Sequence, residues 1–354
     1  MSTPLFAEIR DEILATGPIT VARYMALCLG HPVHGYYTTR DPLGAGGDFV
    51  TAPEISQMFG ELIGLWIAAT WGAMGAPARL DLVELGPGRG TLMDDALRAL
   101  RQVAPDFRPG LHLVETSPVL RARQAGRLSG ASPTWHSSIE SLPDGPCIVV
   151  ANEFFDALPV RQFQRTERGW CERLVGLSGD GGLVFGLAAE PDAAVVAPAR
   201  SGAIIAVPGP ALDVVRRLTR RFVRDGGALL AIDYGHVRPG FGDTLQAVAG
   251  HGFVDPLAAP GEADLTTHVD FAALARAATL EGARIHGPVD QGDFLLALGL
   301  RSRAERLSRS ANAVQAEAIA AASDRLLDPA RRGMGRLFKV MGASHPSLGT
   351  LAGF

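Results

Sequence analysis

At 354 residues and 47% hydrophobic content, the chain can bury a large core, and its length favours two domains or one elaborated domain. A formal net charge of −4 creates no field that would recruit nucleic acid or an anionic membrane face. Cys28, Cys147 and Cys171 have neither paired nor CxxC spacing, which argues against a disulfide framework and a zinc site, and no apolar run reaches bilayer-spanning length.

The first 78 residues read as a largely helical extension interrupted by the Gly-rich "DPLGAGGDF". The opening "MSTPLFAEIRDEIL" carries acids and has neither an apolar core nor an arginine-rich leader pattern, so a reducing cytoplasm is expected. In "HPVHGYY", His31 and His34 lack a carboxylate or cysteine at ligand spacing. No metal is expected there, only packing of Tyr36 and Tyr37 around a chain turn. Within "LGAGGDFVTAPEIS", Gly46, Gly47, Asp48 and Thr51 are candidates for a lid over a cofactor, the alternative being a plain connector.

Beyond residue 78, apolar runs alternate with helical patterns, which predicts an α/β fold with a mostly parallel sheet. Candidate strands are "LDLVELG" (80 to 86), "LHLVET" (111 to 116), "CIVVANE" (147 to 153), "ALLAIDYG" (228 to 235) and "RLFKVMG" (336 to 342). Helices are expected at "LMDDALRAL", "SPVLRARQAGRL" and "ALDVVRRLTRRFV". Residues 161 to 207, around the turn "SGDGG", read as a β insertion, so the core is assigned to 79–160 and 208–354. The segment from His236 to Phe271 is too long and irregular for a plain connection, and such loops in compact enzymes usually cover a site. His251 and His268 within it are candidates for substrate contact.

The first candidate strand runs into "VELGPGRGT", with glycines at 86, 88 and 90. A dinucleotide fingerprint requires GxGxxG and a Walker A loop requires Gly-Lys-Ser/Thr; neither is present. An acid at the strand end, Glu84, followed by GxGxG suits S-adenosylmethionine, whose cationic amino-acid end can meet backbone and carboxylate. An adenosine ribose needs a carboxylate to accept from its two hydroxyls, and Glu115 stands at the end of the next strand. Either feature alone is also compatible with a tight turn or a solvated strand end.

The third strand end is "NEFFDALPV", placing Asn152, Glu153 and Asp156 at the presumed carboxyl edge of the sheet, between aromatic Phe154 and Phe155. The alternative is a helix start, with Asn152 capping and Glu153 favouring the dipole. Asn152 is assigned to the cofactor. If the chain turns helically after Asn152, Glu153 and Asp156 share one face. Asp233, in "AIDYG", is a possible third acid or a strand-end cap.

Eight separated motifs, "GDFVTAPEISQMFGELIGLW", "ELGPGRGTLMDDALR", "VETSPVLRARQ", "ANEFFDALPVRQF", "IDYG", "ADLTTHVDF", "QGDFLLALG" and "MGRLFKVMG", together resemble the MidA family of class I S-adenosylmethionine-dependent methyltransferases. The resemblance implies a Rossmann-like methyltransferase fold. It also implies protein arginine methylation, since eukaryotic members are complex I assembly factors described as symmetrically dimethylating an arginine of the 49 kDa core subunit. Without an organellar leader pattern, a bacterial, cytoplasmic member with a protein substrate is expected. Paired carboxylates can hold a guanidinium bidentately and leave one nitrogen facing the methyl group, so Glu153 and Asp156 are the candidate catalytic acids, with Asp233 a third. Two other classes stay open: an S-adenosylmethionine-binding assembly chaperone with little transfer, and a methyltransferase of small metabolites.

Overall fold

The computed structural model describes residues 3–39, 50–330 and 333–354. The chain forms two compact units: Val50–Phe155 with Val214–Val237 and Phe271–Phe354, and Met1–Phe49 with Asp156–Asp213 and Arg238–Asp270.

The first of these contains the sheet expected from the alternation. Its strands are β1 (Asp81–Leu85), β2 (Gly110–Val114), β3 (Thr134–His136), β4 (Cys147–Asn152), β5 (Gly227–His236), β6 (Arg284–Asp290) and β7 (Phe338–Ser344). They lie in the order β6-β7-β5-β4-β1-β2-β3. From β5 to β3 neighbours are parallel, whereas β7 runs antiparallel to both β5 and β6. All six residues of β4 are buried, as are the first seven of β5. This is why "CIVVAN" and "ALLAID" show no polar alternation: both faces of a central parallel strand are covered.

Helix α1 (Gln57–Ala73) precedes the sheet, and α2 (Thr91–Val103), α3 (Pro118–Arg127) and α4 (Gly209–Asp225) lie in its crossovers, although α4 belongs to this unit only from Val214 onward. Ser117 caps α3, its hydroxyl accepting from the Leu120 amide at 3.3 Å, and Pro118 occupies the first helical turn. Along α2, Leu92, Met93, Ala96, Ala99 and Leu100 form the buried stripe of an amphipathic helix. Glycines bring α1 close to α2: a Cβ on Gly64 would lie 2.6 Å from the Ala96 carbonyl oxygen. Phe59, Ile63 and Trp66 from α1 join Leu82, Ile148 and Leu230 from the sheet in one core, each less than 2% exposed.

The other unit carries the insertion, whose strands Arg161–Thr166, Gly169–Leu177, Leu183–Pro191 and Ile204–Val207 pair antiparallel. The N-terminal segment is part of this unit: Ile19–Thr20 pairs with Gly169–Leu177. Helices Pro4–Thr16 and Val21–Gly30 bury Leu5, Ile9 and Tyr24 in the same core as Val175 and Leu265. The long segment after His236 contains strands Gln246–Ala249, Gly252–Val254 and Asp264–Thr266, an antiparallel sheet of three. The expected boundaries at 78 and around an isolated insertion therefore change. Residues 50–78 pack with the parallel sheet through α1, and the earlier N-terminal helices join the insertion because their apolar stripes are covered there.

Candidate functional site

Chain order reverses at β1, which has β2 on one side and β4 on the other, so a crevice opens at the carboxyl ends of these strands. Three expected segments meet at this switch point: the glycine loop after β1, Glu115 after β2, and the turn after β4.

Gly86, Gly88 and Gly90 have φ of 59°, 54° and 77°, a region that costs a residue with a Cβ about 1 to 2 kcal/mol. Sequence reasoning attributed these glycines to ligand approach; the backbone requires them before any ligand arrives. The loop is tightened by the Gly86 amide donating to the Val114 carbonyl at 3.0 Å and the Gly90 amide to the Pro87 carbonyl at 2.8 Å. A Cβ on Gly86 would stand 3.0 Å from the Phe154 ring, so the loop and the β4 turn touch.

Glu84 is 3% exposed, and its Oε2 takes no hydrogen bond from any described residue. Burial, reinforced by the nearby Glu115 carboxylate, pushes its pKa up to about 8. Asn152, at the end of β4, donates from Nδ2 to Glu153 Oε1 at 3.3 Å, while its buried Oδ1 likewise accepts from no described residue. Two buried acceptors without donors, on adjacent strand ends, fit a ligand bearing N–H or O–H groups. Glu115 is held from both sides, Oε1 accepting from the Ser117 amide at 2.8 Å and Oε2 from Gln124 Nε2 at 3.2 Å. Burial raises the Glu115 pKa, while these hydrogen bonds oppose the shift.

After Asn152 no helix begins, so the condition set for a shared helical face is not met. Glu153 adopts φ of 50°, and the buried Asp233 carboxylate captures the next amides. Its Oδ2 accepts from Phe154 and Phe155 at 3.2 and 3.0 Å, and its Oδ1 from Tyr234 at 3.0 Å. Pro159 also disfavours helical backbone at Leu158. Neither the shared helical face for Glu153 and Asp156 nor the capping role for Asn152 exists, and Asp156 opens a segment of the other unit. There it is buried, and its carbonyl accepts from the Thr267 amide at 3.0 Å.

The single helical turn Ala52–Ile55 belongs to the sheet unit and braces the site. The Ala52 amide donates to Glu153 Oε1 at 3.1 Å, and Glu54 accepts from the Thr91 hydroxyl just past the glycine loop. Thr51 is the N-cap residue of this turn, without a side-chain capping bond. Gly46, Gly47 and Asp48 lie outside the described residues. Sequence reasoning missed Glu54 and Gln124. Glu54 was legible as an acid in the first turn after Thr51; the fully buried glutamine is identified only by its partners.

In the other unit, His31 and His34 stack with ring centroids 5.5 Å apart, and both face Glu8, at 3.1 and 3.4 Å. Tyr36 and Tyr37 meet edge to face at 5.2 Å. Among the described residues no group of three or more His, Cys, Asp or Glu has metal-binding geometry. His251 is exposed with φ of 62°, and His268 Nε2 lies 3.5 Å from Gln246 Nε2.

Fold and site define an α/β protein of the class that holds a nucleoside cofactor at a glycine-rich switch point. The family described as putative S-adenosyl-L-methionine-dependent methyltransferase matches residues 62–289. The chain is 40% identical to the mitochondrial protein arginine methyltransferase NDUFAF7 of Danio rerio, over 93% of this chain and 84% of that protein. Identity to the human protein of that name is 37%, covering 94% and 81%. A solved structure from Burkholderia thailandensis, bound to S-adenosyl-homocysteine, superposes with a TM-score of 0.86 at 31% identity, covering 99% of this chain and 94% of that one. The chain belongs to this family of S-adenosylmethionine-dependent methyltransferases, in agreement with the MidA resemblance and the Rossmann-like class expected from the sequence. Among the described residues no helix is long and apolar enough to cross a membrane.

Proposed function

We propose that this enzyme transfers methyl groups to arginine in a protein, with Glu153 as an acid that engages the guanidinium. The observation that carries the reading is the left-handed backbone of Glu153 at the carboxyl end of β4, next to the Phe154 ring that touches the glycine loop. A non-glycine residue held in that conformation stores strain, and such strain clusters at working sites. The names of the curated relatives support arginine as the acceptor.

S-adenosylmethionine supplies an electrophilic methyl group for in-line displacement, so the protein's task is to position donor and nucleophile and exclude water. Glu84, Gly86, Gly88, Gly90, Glu115 and Asn152 are the proposed cofactor residues, with Gly47 and Thr51 from the segment before α1. Glu153 is proposed to accept from the guanidinium and localise its charge away from the attacking nitrogen. Asp156 is carried as a second acid on its chemistry alone. Asp233 is assigned to positioning, because both its oxygens are already engaged by backbone amides. We extend the family's symmetric dimethylation of a complex I core subunit to this chain as the substrate to test first.

Glu153→Gln should keep S-adenosyl-homocysteine affinity within about threefold while cutting labelled-methyl transfer to the cognate respiratory subunit by about 10² or more. Mass spectrometry of the wild-type product should show symmetric dimethylarginine. Parallel loss of binding and transfer would move Glu153 to the cofactor site; label only in small molecules, or in none, would remove the protein-arginine reading.

A further inference from the structure

The side-chain amide of Gln124, on α3, joins three parts of the cofactor edge that are distant in sequence. It is fully buried. Its Oε1 accepts from Trp135 Nε1 on β3 at 2.8 Å, and its Nε2 donates to the Gly88 carbonyl at 2.7 Å and to Glu115 Oε2 at 3.2 Å. The orientation of this amide is forced by chemistry. An indole N–H only donates and a carbonyl only accepts, so a flipped amide would face like with like at both Trp135 and Gly88. Trp135 therefore locks the amide, and both amide hydrogens are committed.

The consequence falls on Glu115. A carboxylate offers about four lone-pair sites. The Ser117 amide takes one on Oε1 and Gln124 takes one on Oε2. The Thr116 amide also hydrogen-bonds this carboxylate, so protein donors orient both oxygens and leave lone-pair capacity for a ligand hydroxyl. The same amide pins the carbonyl of Gly88, the middle glycine of the loop. We infer that Gln124, locked by Trp135, is a positioning residue for the cofactor: it aims Glu115 at the ribose hydroxyls and fixes the glycine loop around them. The inference rests on the proposed ribose role of Glu115.

The test is calorimetric titration of the full chain with S-adenosyl-homocysteine and its 2′-deoxy analogue. Wild type should prefer the ribose form by about tenfold or more, as expected for loss of a hydrogen bond to a charged group. Gln124→Met removes both donors at similar volume and should weaken S-adenosyl-homocysteine at least tenfold. It should also compress the ribose preference to about threefold or less, which a merely structural role would leave intact. Gln124→Glu sets a second carboxylate beside Glu115, so its affinity relative to wild type at the same pH should be lowest at pH 8 and recover toward pH 6, where a protonated carboxyl again donates. Trp135→Phe keeps an aromatic side chain but removes the pyrrole ring and its N–H; it should compress the preference by a smaller factor, and it serves if the glutamine variants fail to fold. Equal weakening toward both ligands that, relative to wild type, does not change with pH, or an unchanged preference in all three variants, would overturn the inference. A wild-type preference near one would remove the Glu115 reading and the inference with it.

Discussion

At the scale of single residues, the proposed cofactor edge makes its sharpest prediction at Glu84. A carboxyl with no described hydrogen-bond partner on Oε2 and a pKa near 8 is largely protonated at neutral pH. A cationic amino-acid group placed against it favours the ionised form, so binding should release a proton. Between pH 6 and 8, S-adenosyl-homocysteine affinity is expected to rise with pH by up to about tenfold per unit, and Glu84→Gln should flatten the profile and weaken binding. Stability of the free protein has the opposite slope. The folded pKa of Glu84 is raised, so its contribution is fully present below the unfolded value and is lost as pH rises through about 8. Glu84→Gln should therefore gain in unfolding temperature relative to wild type as pH is raised from 5 to 8. Titrations in buffers of different ionisation enthalpy count the released proton directly; zero protons released at pH 7 would show that Glu84 does not meet the cationic end.

At the scale of elements, most of the sheet was legible. β1, β2, β4, β5 and β7 appear as largely apolar runs because they lie inside the sheet. β3 and β6 escaped because they are its two edges. Thr134–His136 is short and partly exposed, and Arg284–Asp290 mixes charged and small residues, so neither carries the burial that makes a strand visible. The glycine loop and Glu115 were legible because spacing from a strand end is local information. The turn after Asn152 was not. Its shape is set by Asp233, which lies 78 residues beyond Phe155 in the chain and acts through bonds no local pattern reveals. Asp233→Asn keeps one accepting oxygen and replaces the other with a donor, leaving at least one amide of this turn facing an N–H. An unsatisfied buried group costs about 1 to 3 kcal/mol. Urea denaturation should show a loss of that size, accompanied by reduced transfer. Full stability with transfer abolished would instead place Asp233 in the chemistry.

At the scale of the whole chain, the sheet unit is assembled from three stretches, and its last strand is not its edge. β7 comes from Phe338–Ser344 and lies between β5 and β6, pairing antiparallel with both. Phe338, Val340, Met341 and Ala343 are each at most 7% exposed, and Ile232 in β5, the strand that also supplies Asp233, pairs with Val340. Without β7, the buried β5 loses a full ladder of hydrogen bonds and the apolar cover of one flank. Unpaired backbone groups in such a setting are each costly, and a domain's net stability of about 5 to 15 kcal/mol cannot absorb several of them. The carboxyl edge that carries Asn152 and Asp233 therefore depends on residues far from any glycine or acid of the site. A chain ending at Leu337 is expected to lose both its cooperative unfolding transition and its S-adenosyl-homocysteine binding, although every proposed cofactor residue is still present. Circular dichroism during thermal denaturation and calorimetric titration would check the two losses. A truncated chain that unfolded cooperatively and bound within about threefold of wild type would show that β5 is held by its parallel neighbour β4 alone.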